Sequence, residues 1–130
     1  MQELFSQADV LLFKERKYAE AEAMFNQILK IEADATEMEK SDRNCIDAYN
    51  SIGYCVKFRT SLKDLIEDSP ISSQPDGVGV FTLLQKIYNN ALKLDHEDVE
   101  ANFNLAGIYL QRKDLDSALR HYQACVRKDN

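Results

Sequence analysis

The chain has 130 residues, 45% hydrophobic and 29% charged, which suits one water-soluble domain large enough to bury a core. Its net charge of −6, with Lys and Arg nowhere clustered, excludes nucleic acid as the main partner. No apolar run approaches the roughly 18 residues of a membrane span, so membrane insertion is excluded, and the start MQELFSQADVLLF lacks the marks of a secretion signal.

Four glycines and two prolines, against many Leu, Ala, Glu and Lys, favour helix. Residues 2–14 place Leu4, Phe5, Ala8, Leu11 and Leu12 at helical spacing, and Lys14-Glu15-Arg16-Lys17 ends the run. A second helix, 18–32, carries Ala21, Phe25, Ile28 and Leu29 on one face, and the short polar join predicts antiparallel packing. A polar stretch, 33–44, follows as either a loop or a longer second helix. The third helix begins near Ile46 with Ala48, Tyr49, Ile52, Gly53 and Val56, and its spacing continues through Leu62, Leu65 and Ile66. The segment EDSPISSQPDGVG holds both prolines and is the clearest loop. Helices over about 79–94, 98–111 and 115–127 complete the chain, the last two forming a hairpin around Leu105, Ala106, Tyr109, Ala118 and Tyr122.

Two helix ends repeat: Tyr88, Ala91 and Leu92 recur as Tyr122, Cys125 and Val126, an interval of 34 residues. That is the length of a helix–turn–helix unit in a stacked array, which buries its apolar faces only by stacking on neighbours. In the last unit Leu105, Ala106 and Tyr109 are followed by Ala118, Tyr122 and Cys125; the first has Phe5, Ala8, Leu12, Ala21, Phe25, Ile28 and Leu29; the middle one has Tyr49, Ile52, Gly53 and Val56, then Leu84, Tyr88, Ala91 and Leu92. In this pattern of large and small residues the chain resembles the tetratricopeptide repeats. The resemblance implies an all-α fold of about six helices, in helix–turn–helix repeats stacked as a right-handed solenoid. The single domain, 1–130, would comprise repeat 1 (about 2–35), a linker (36–45), repeat 2 (about 46–98, with an insertion at 60–79) and repeat 3 (about 99–130).

Departures from the family pattern mark points of interest. Asp9 fills a small position and Asn102 a large aromatic one, which implies a shallower contact between units two and three, covered by the insertion. Arg16 and Lys113 replace the usual turn glycines, which implies looser turns. Ala33 and His96 stand where proline is usual.

In this family the first helix of each unit lines a concave groove. Carried over residue by residue, the partner-binding positions are Val10, Phe13 and Lys14, then Asn50, Tyr54, Lys57 and Phe58, then Phe103, Asn104, Leu110 and Gln111. Apolar residues there that the core does not need suggest a binding patch. The carboxylate clamp that grips chaperone tails is excluded: Ser6, Val10, Ser51, Glu100 and Asn104 stand at its positions, and Glu100 would repel a terminal carboxylate. Asn104 matches a position that hydrogen-bonds an extended peptide's backbone. The expected function is therefore a non-catalytic interaction scaffold. Its partner would be a protein or peptide, an amphipathic helix or an extended segment with basic flanks. The second expectation is self-association, as an end-to-end homodimer or part of a longer array, because no polar capping helix follows unit three.

Catalysis is not expected. His96 stands beside Glu97 and Asp98, and His121 lies four residues from Cys125, but neither makes a metal-ligand set. DGVGVF lacks the setting of a phosphate cradle, and neither cofactor nor metal is expected. Cys45, Cys55 and Cys125 have no metal or redox spacing and read as reduced thiols in a cytoplasmic setting. The 60–79 insertion is a third candidate site, with Ser69, Ser72 and Ser73 as possible phosphorylation positions.

Overall fold

The computed structural model describes residues 1–71 and 76–129, with side chains as far as Arg127. Ser72 and Ser73 fall outside the described residues. The fold is all-α. In chain order the elements are α1 (Gln2–Asp9) running into a π-helical turn (Val10–Lys14), α2 (Tyr18–Asp34), α3 (Asp42–Phe58), α4 (Leu62–Glu67), α5 (Val80–Leu94), α6 (Val99–Gln111) and α7 (Leu115–Asp129). Among the described residues there is no strand, only an isolated bridge between Pro70 and Gly79. No helix is long and apolar enough to cross a membrane, again among the described residues.

The long helices pack in chain order: α1 on α2, α2 on α3, α3 on α5, α5 on α6 and α6 on α7. The i, i+3, i+4 spacing of their apolar residues supplies the seams. Ala21, Phe25 and Ile28 of α2 meet Ala48, Ile52 and Val56 of α3, which meet Leu84, Ile87 and Tyr88 of α5. Helix α5 then carries the core on to Leu105 and Ile108 of α6. Gly53 fixes how closely α3 and α5 approach: a Cβ there would run into the ring and hydroxyl of Tyr88.

Three joints differ from the sequence reading. First, α3 starts at Asp42, ahead of the expected Ile46. Ser41 caps it, accepting from the Asn44 N–H at 3.2 Å. The buried Glu32 of α2 then ties that cap down, accepting from the Ser41 N–H (2.7 Å) and Asn44 Nδ2 (2.9 Å). Those two donors hold Glu32 below the ordinary glutamate range. Much of the polar stretch is thus a clamped joint.

Second, the pattern past Phe58 is a separate helix, α4, so seven helices are described against the six expected. Ser61 caps α4, accepting from the Asp64 N–H at 3.1 Å. The insertion is pinned at both ends. Ile71 N–H donates to the Val78 carbonyl (3.0 Å) and Val80 N–H to that of Ser69 (2.9 Å). Asp68 also caps α5 from outside, accepting from the Thr82 N–H (2.9 Å) and hydroxyl (2.6 Å). Gly79 is needed because a Cβ would collide with Asp68. The insertion meets α6 at its far end, where Arg112 Nε donates to the Ile66 carbonyl at 3.3 Å and the guanidinium lies 4.1 Å over the Phe81 ring.

Third, the two turns expected to be loose are closed. Arg16 (φ 56°) and Lys113 (φ 65°) adopt the left-handed conformation that glycine adopts without penalty. Lys17 N–H reaches the Leu11 carbonyl at 2.8 Å, and Asp114 N–H the Tyr109 carbonyl at 2.9 Å. Asn102 takes its partners within the last hairpin and at the start of α6. It is buried, donates to the His96 and Asp98 carbonyls (3.1 and 3.0 Å), and accepts from His121 Nδ1 at 2.9 Å.

Candidate interaction groove

Aromatic side chains of the π-helical turn and α3 make a continuous run at the edge of the core. Phe13 sits at the end of the π-helical turn, edge-on to Tyr54 of α3 with ring centroids 6.3 Å apart. Tyr54 stacks on Phe58 one turn later at 6.0 Å. Tyr18, at the start of α2, closes on Phe58 at 5.7 Å, a contribution absent from the sequence reading. Phe13 remains 58% exposed and Phe58 49%, so these rings pack on one another while facing solvent. Leu12, Phe13, Arg16, Tyr18 and Phe58 line an open cleft of about 240 Å³. Behind it, Arg59 Nη2 binds Glu22 at 3.2 Å, fixing the end of α3 against α2.

The other expected groove residues do not all join this run. Lys57 and Gln111 share a separate cleft with Leu62 and Leu65 of α4, and burial lowers the Lys57 ammonium from its ordinary range. Val10 lies with Leu11 and Met24 in a cleft of about 420 Å³ over the α1–α2 hairpin. Lys14 and Leu110 are exposed. Phe103 is exposed too, but its ring meets Tyr122 of α7 at 6.0 Å, so it belongs to the last hairpin.

The two asparagines are corrected from open ligands to buried groups. Asn50 is fully buried, and its Nδ2 donates to Asp98 Oδ2 at 3.0 Å. Asp98 also caps α6, accepting from the Ala101 N–H at 2.9 Å, and takes Arg43 Nη2 at 3.1 Å. Asn104 is 5% exposed. Asn50 Oδ1 and the Tyr88 hydroxyl are each buried without a hydrogen-bond partner, and the Asn104 amide lies at the Tyr54 hydroxyl.

A group of carboxylates borders the aromatic run, and no motif pointed to it. Burial raises the Asp9 carboxyl, and Asp47 of α3 adds to the rise. Burial likewise raises Glu100 of α6; the Tyr54 hydroxyl opposes this, while Asp98 and Asp47 add to it. Arg43 bonds Asp47 at 2.8 Å as well as Asp98. Burial raises the Tyr54 phenol, with the Asn104 amide opposing and Glu100 adding. Among the described residues no three His, Cys, Asp or Glu side chains converge to hold a metal ion.

The thiols take structural places. Burial pushes Cys55 up to about 12 and raises Cys45, so both stay protonated at neutral pH. Cys125 donates to the Val99 carbonyl at 3.5 Å. His121, stacked on Tyr109 at 5.6 Å, is lowered by burial and by Arg120, and His96 is exposed. No protein-family model matches the chain, and neither a curated protein nor a solved structure matches it.

Proposed function

We propose that the protein is a non-catalytic interaction module of the tetratricopeptide kind, holding a partner's helix or extended segment against the face shared by α1 and α3. One observation carries this reading: the run Phe13–Tyr54–Phe58, in ring contact across two helices, with Phe13 and Phe58 half open to solvent on either side of a Tyr54 that packs on the core. Aromatic rings on a rigid helical face are efficient anchors, because their burial by a partner costs little side-chain entropy. Exposed apolar groups gathered this way favour recognition over a purely structural role. The order of packing, each helix hairpin on the next, supports the repeat assignment, as do the left-handed residues at the two positions where the repeat takes glycine. Such repeats act in the cytoplasm as in other compartments, and the protonated, unbridged Cys45 and Cys55 suit a reducing one.

The test is a displayed library of random short peptides panned on the full chain. Bound peptides should lose affinity for Phe13→Ala and Phe58→Ala by more than about 1 kcal/mol each, without loss of helicity by circular dichroism. Selected peptides that bind both variants as tightly as the parent would remove the reading.

A second reading, self-association, rests on α7. Leu115 (62% exposed), Leu119 (57%) and Val126 (60%) fall on one face of that helix, whose main packing among the described residues is on α6. Light scattering across concentration checks it. A concentration-dependent dimer abolished by Leu119→Glu supports it, and a strict monomer ends it.

A further inference from the structure

The insertion between α4 and α5 is fastened like a short hairpin. Ile71 N–H donates to the Val78 carbonyl (3.0 Å) and Val80 N–H to the Ser69 carbonyl (2.9 Å), with Pro70 and Gly79 bridged between them. Just inside that fastening stands Asp76–Gly77, the one place in the sequence where an Asp or Asn precedes a glycine. Both residues are exposed. Gly77 takes the left-handed conformation (φ 71°), and nothing lies within 4 Å of where a Cβ would stand. Asp76 Oδ1 accepts from the Val78 N–H at 3.2 Å. A carboxyl folded forward onto the residue after next lies over the peptide bond in between, which sets its Cγ beside the Gly77 nitrogen.

Two other aspartates separate the contributions of fold and neighbour. Asp95 folds forward in the same way, accepting from the Glu97 N–H at 3.0 Å, but the residue in between is His96, whose side chain crowds the nitrogen. Asp68 is turned away from its own chain. Thr82 occupies both of its carboxyl oxygens, at 2.9 and 2.6 Å, and the Ser69 N–H that follows it donates to the Asp64 carbonyl at 2.9 Å. Among the described residues, Asp76 alone joins a forward-folded carboxyl to a following glycine.

We infer that Asp76–Gly77 is a site of spontaneous backbone modification, where the aspartyl link converts through a cyclic imide to isoaspartate and unfastens the insertion. In the carboxylic acid form of Asp76, the Gly77 nitrogen attacks Cγ. The N–Cγ bond forms, the Cγ–O bond breaks, and the hydroxyl leaves as water with the amide proton. A second water then opens the ring at the backbone carbonyl carbon, breaking its bond to the Gly77 nitrogen, so that the chain runs on through Cβ and Cγ. One water leaves and one enters, so the mass is unchanged and no oxidant or cofactor is consumed. Glycine serves twice here, by leaving the nitrogen open to attack and by accepting the left-handed turn. The product is one methylene longer in its backbone, just before Val78. The carboxyl that held the Val78 N–H has become a link of the chain, and the Val78 carbonyl that takes the Ile71 N–H is displaced with it.

The experiment ages the full chain in near-neutral buffer at physiological temperature. Fresh and aged protein are then compared by peptide mapping with fragmentation that tells the two linkages apart, and by amide hydrogen exchange. The peptide spanning Asp76 should split with time into two species of equal mass, beside a minor one lighter by one water. Asp95 should lag behind it, and Asp68 should not convert. Gly77→Asn, which tolerates the left-handed turn, and Asp76→Glu, which lengthens the ring to be closed, should each abolish the split. Exchange at the Ile71 and Val80 amides should quicken in the aged parent and not in aged Asp76→Glu. Conversion at Asp68 or Asp95 ahead of Asp76, no conversion at all, or conversion that survives Gly77→Asn overturns the assignment of the site. Conversion at Asp76 with exchange at Ile71 and Val80 unchanged overturns the unfastening of the insertion.

Discussion

Helices α2, α3 and α5 have a long helix on each side, whereas α7 has one on a single side, and their chemistry differs accordingly. In the middle, large side chains vanish into the core: Phe25, Val56 and Tyr88 are fully buried. At the end, Ala118 is the buried hydrophobic of α7, and leucines of the same helix stand in solvent. The joint between α6 and α7 is also more polar, with Asn102 bonded to His121. Helices packed side by side draw their stability from their interfaces, so the helix with one such interface should be the more weakly held.

The largest expected effect separates the two regions directly. Phe25→Ala should cost about 3–5 kcal/mol in chemical denaturation, since it empties a sealed site. Leu119→Ala should stay within about 0.5 kcal/mol. A comparable loss at both would show α7 buried against something, such as a second copy.

Two glycines give the next contrast. Gly53→Ala should cost about 1–3 kcal/mol, because its Cβ meets Tyr88. Gly107 of α6 has nothing within 4 Å, and Gly107→Ala should gain about 0.5–1 kcal/mol by helix propensity. Equal effects would mean that α3 and α5 do not approach as closely as described.

Smaller again, Lys113→Gly should raise stability by roughly 1 kcal/mol by relieving the left-handed turn of the end hairpin. A melting temperature that falls would show that turn relaxed in solution.

The smallest effect is confined to acid. Glu32 is lowered in the folded state, so its contribution is complete above the ordinary glutamate value and is lost as pH falls through the lower, folded one. Glu32→Gln should flatten the acid limb of the stability profile, and hydrogen exchange at low pH should open the α2–α3 joint of the parent first. An unchanged acid limb would remove Glu32 from that joint.

The sequence carried the helices because apolar spacing is a local property. Phe5, Phe25, Tyr88 and Leu105 each announce their faces within a few residues. The same spacing placed Phe13 and Phe58 outside the core, while Tyr54 between them packs against it. The contacts that escaped it are those between distant parts of the chain. The burial of Asn50 depends on Asp98, and the Asp9–Asp47–Glu100 group joins three helices, so neither leaves a motif. Helix α4 escaped for another reason: six residues in phase with α3 look like its continuation, and only Ser61 signals a new start.

The π-helical turn at Val10–Lys14 has a consequence for how this fold tolerates insertions and deletions. Its closing bond, from Glu15 N–H to the Val10 carbonyl at 2.9 Å, spans five residues where an α-helix spans four. The turn thus stores a surplus of chain within an otherwise ordinary helix. Each residue of an α-helix turns its successors by about 100°. Deleting one residue here would let the turn tighten to α-helical geometry, so its effect would fall on how Phe13 meets Tyr54. The start of the aromatic run is therefore set by the length of this segment as much as by its composition.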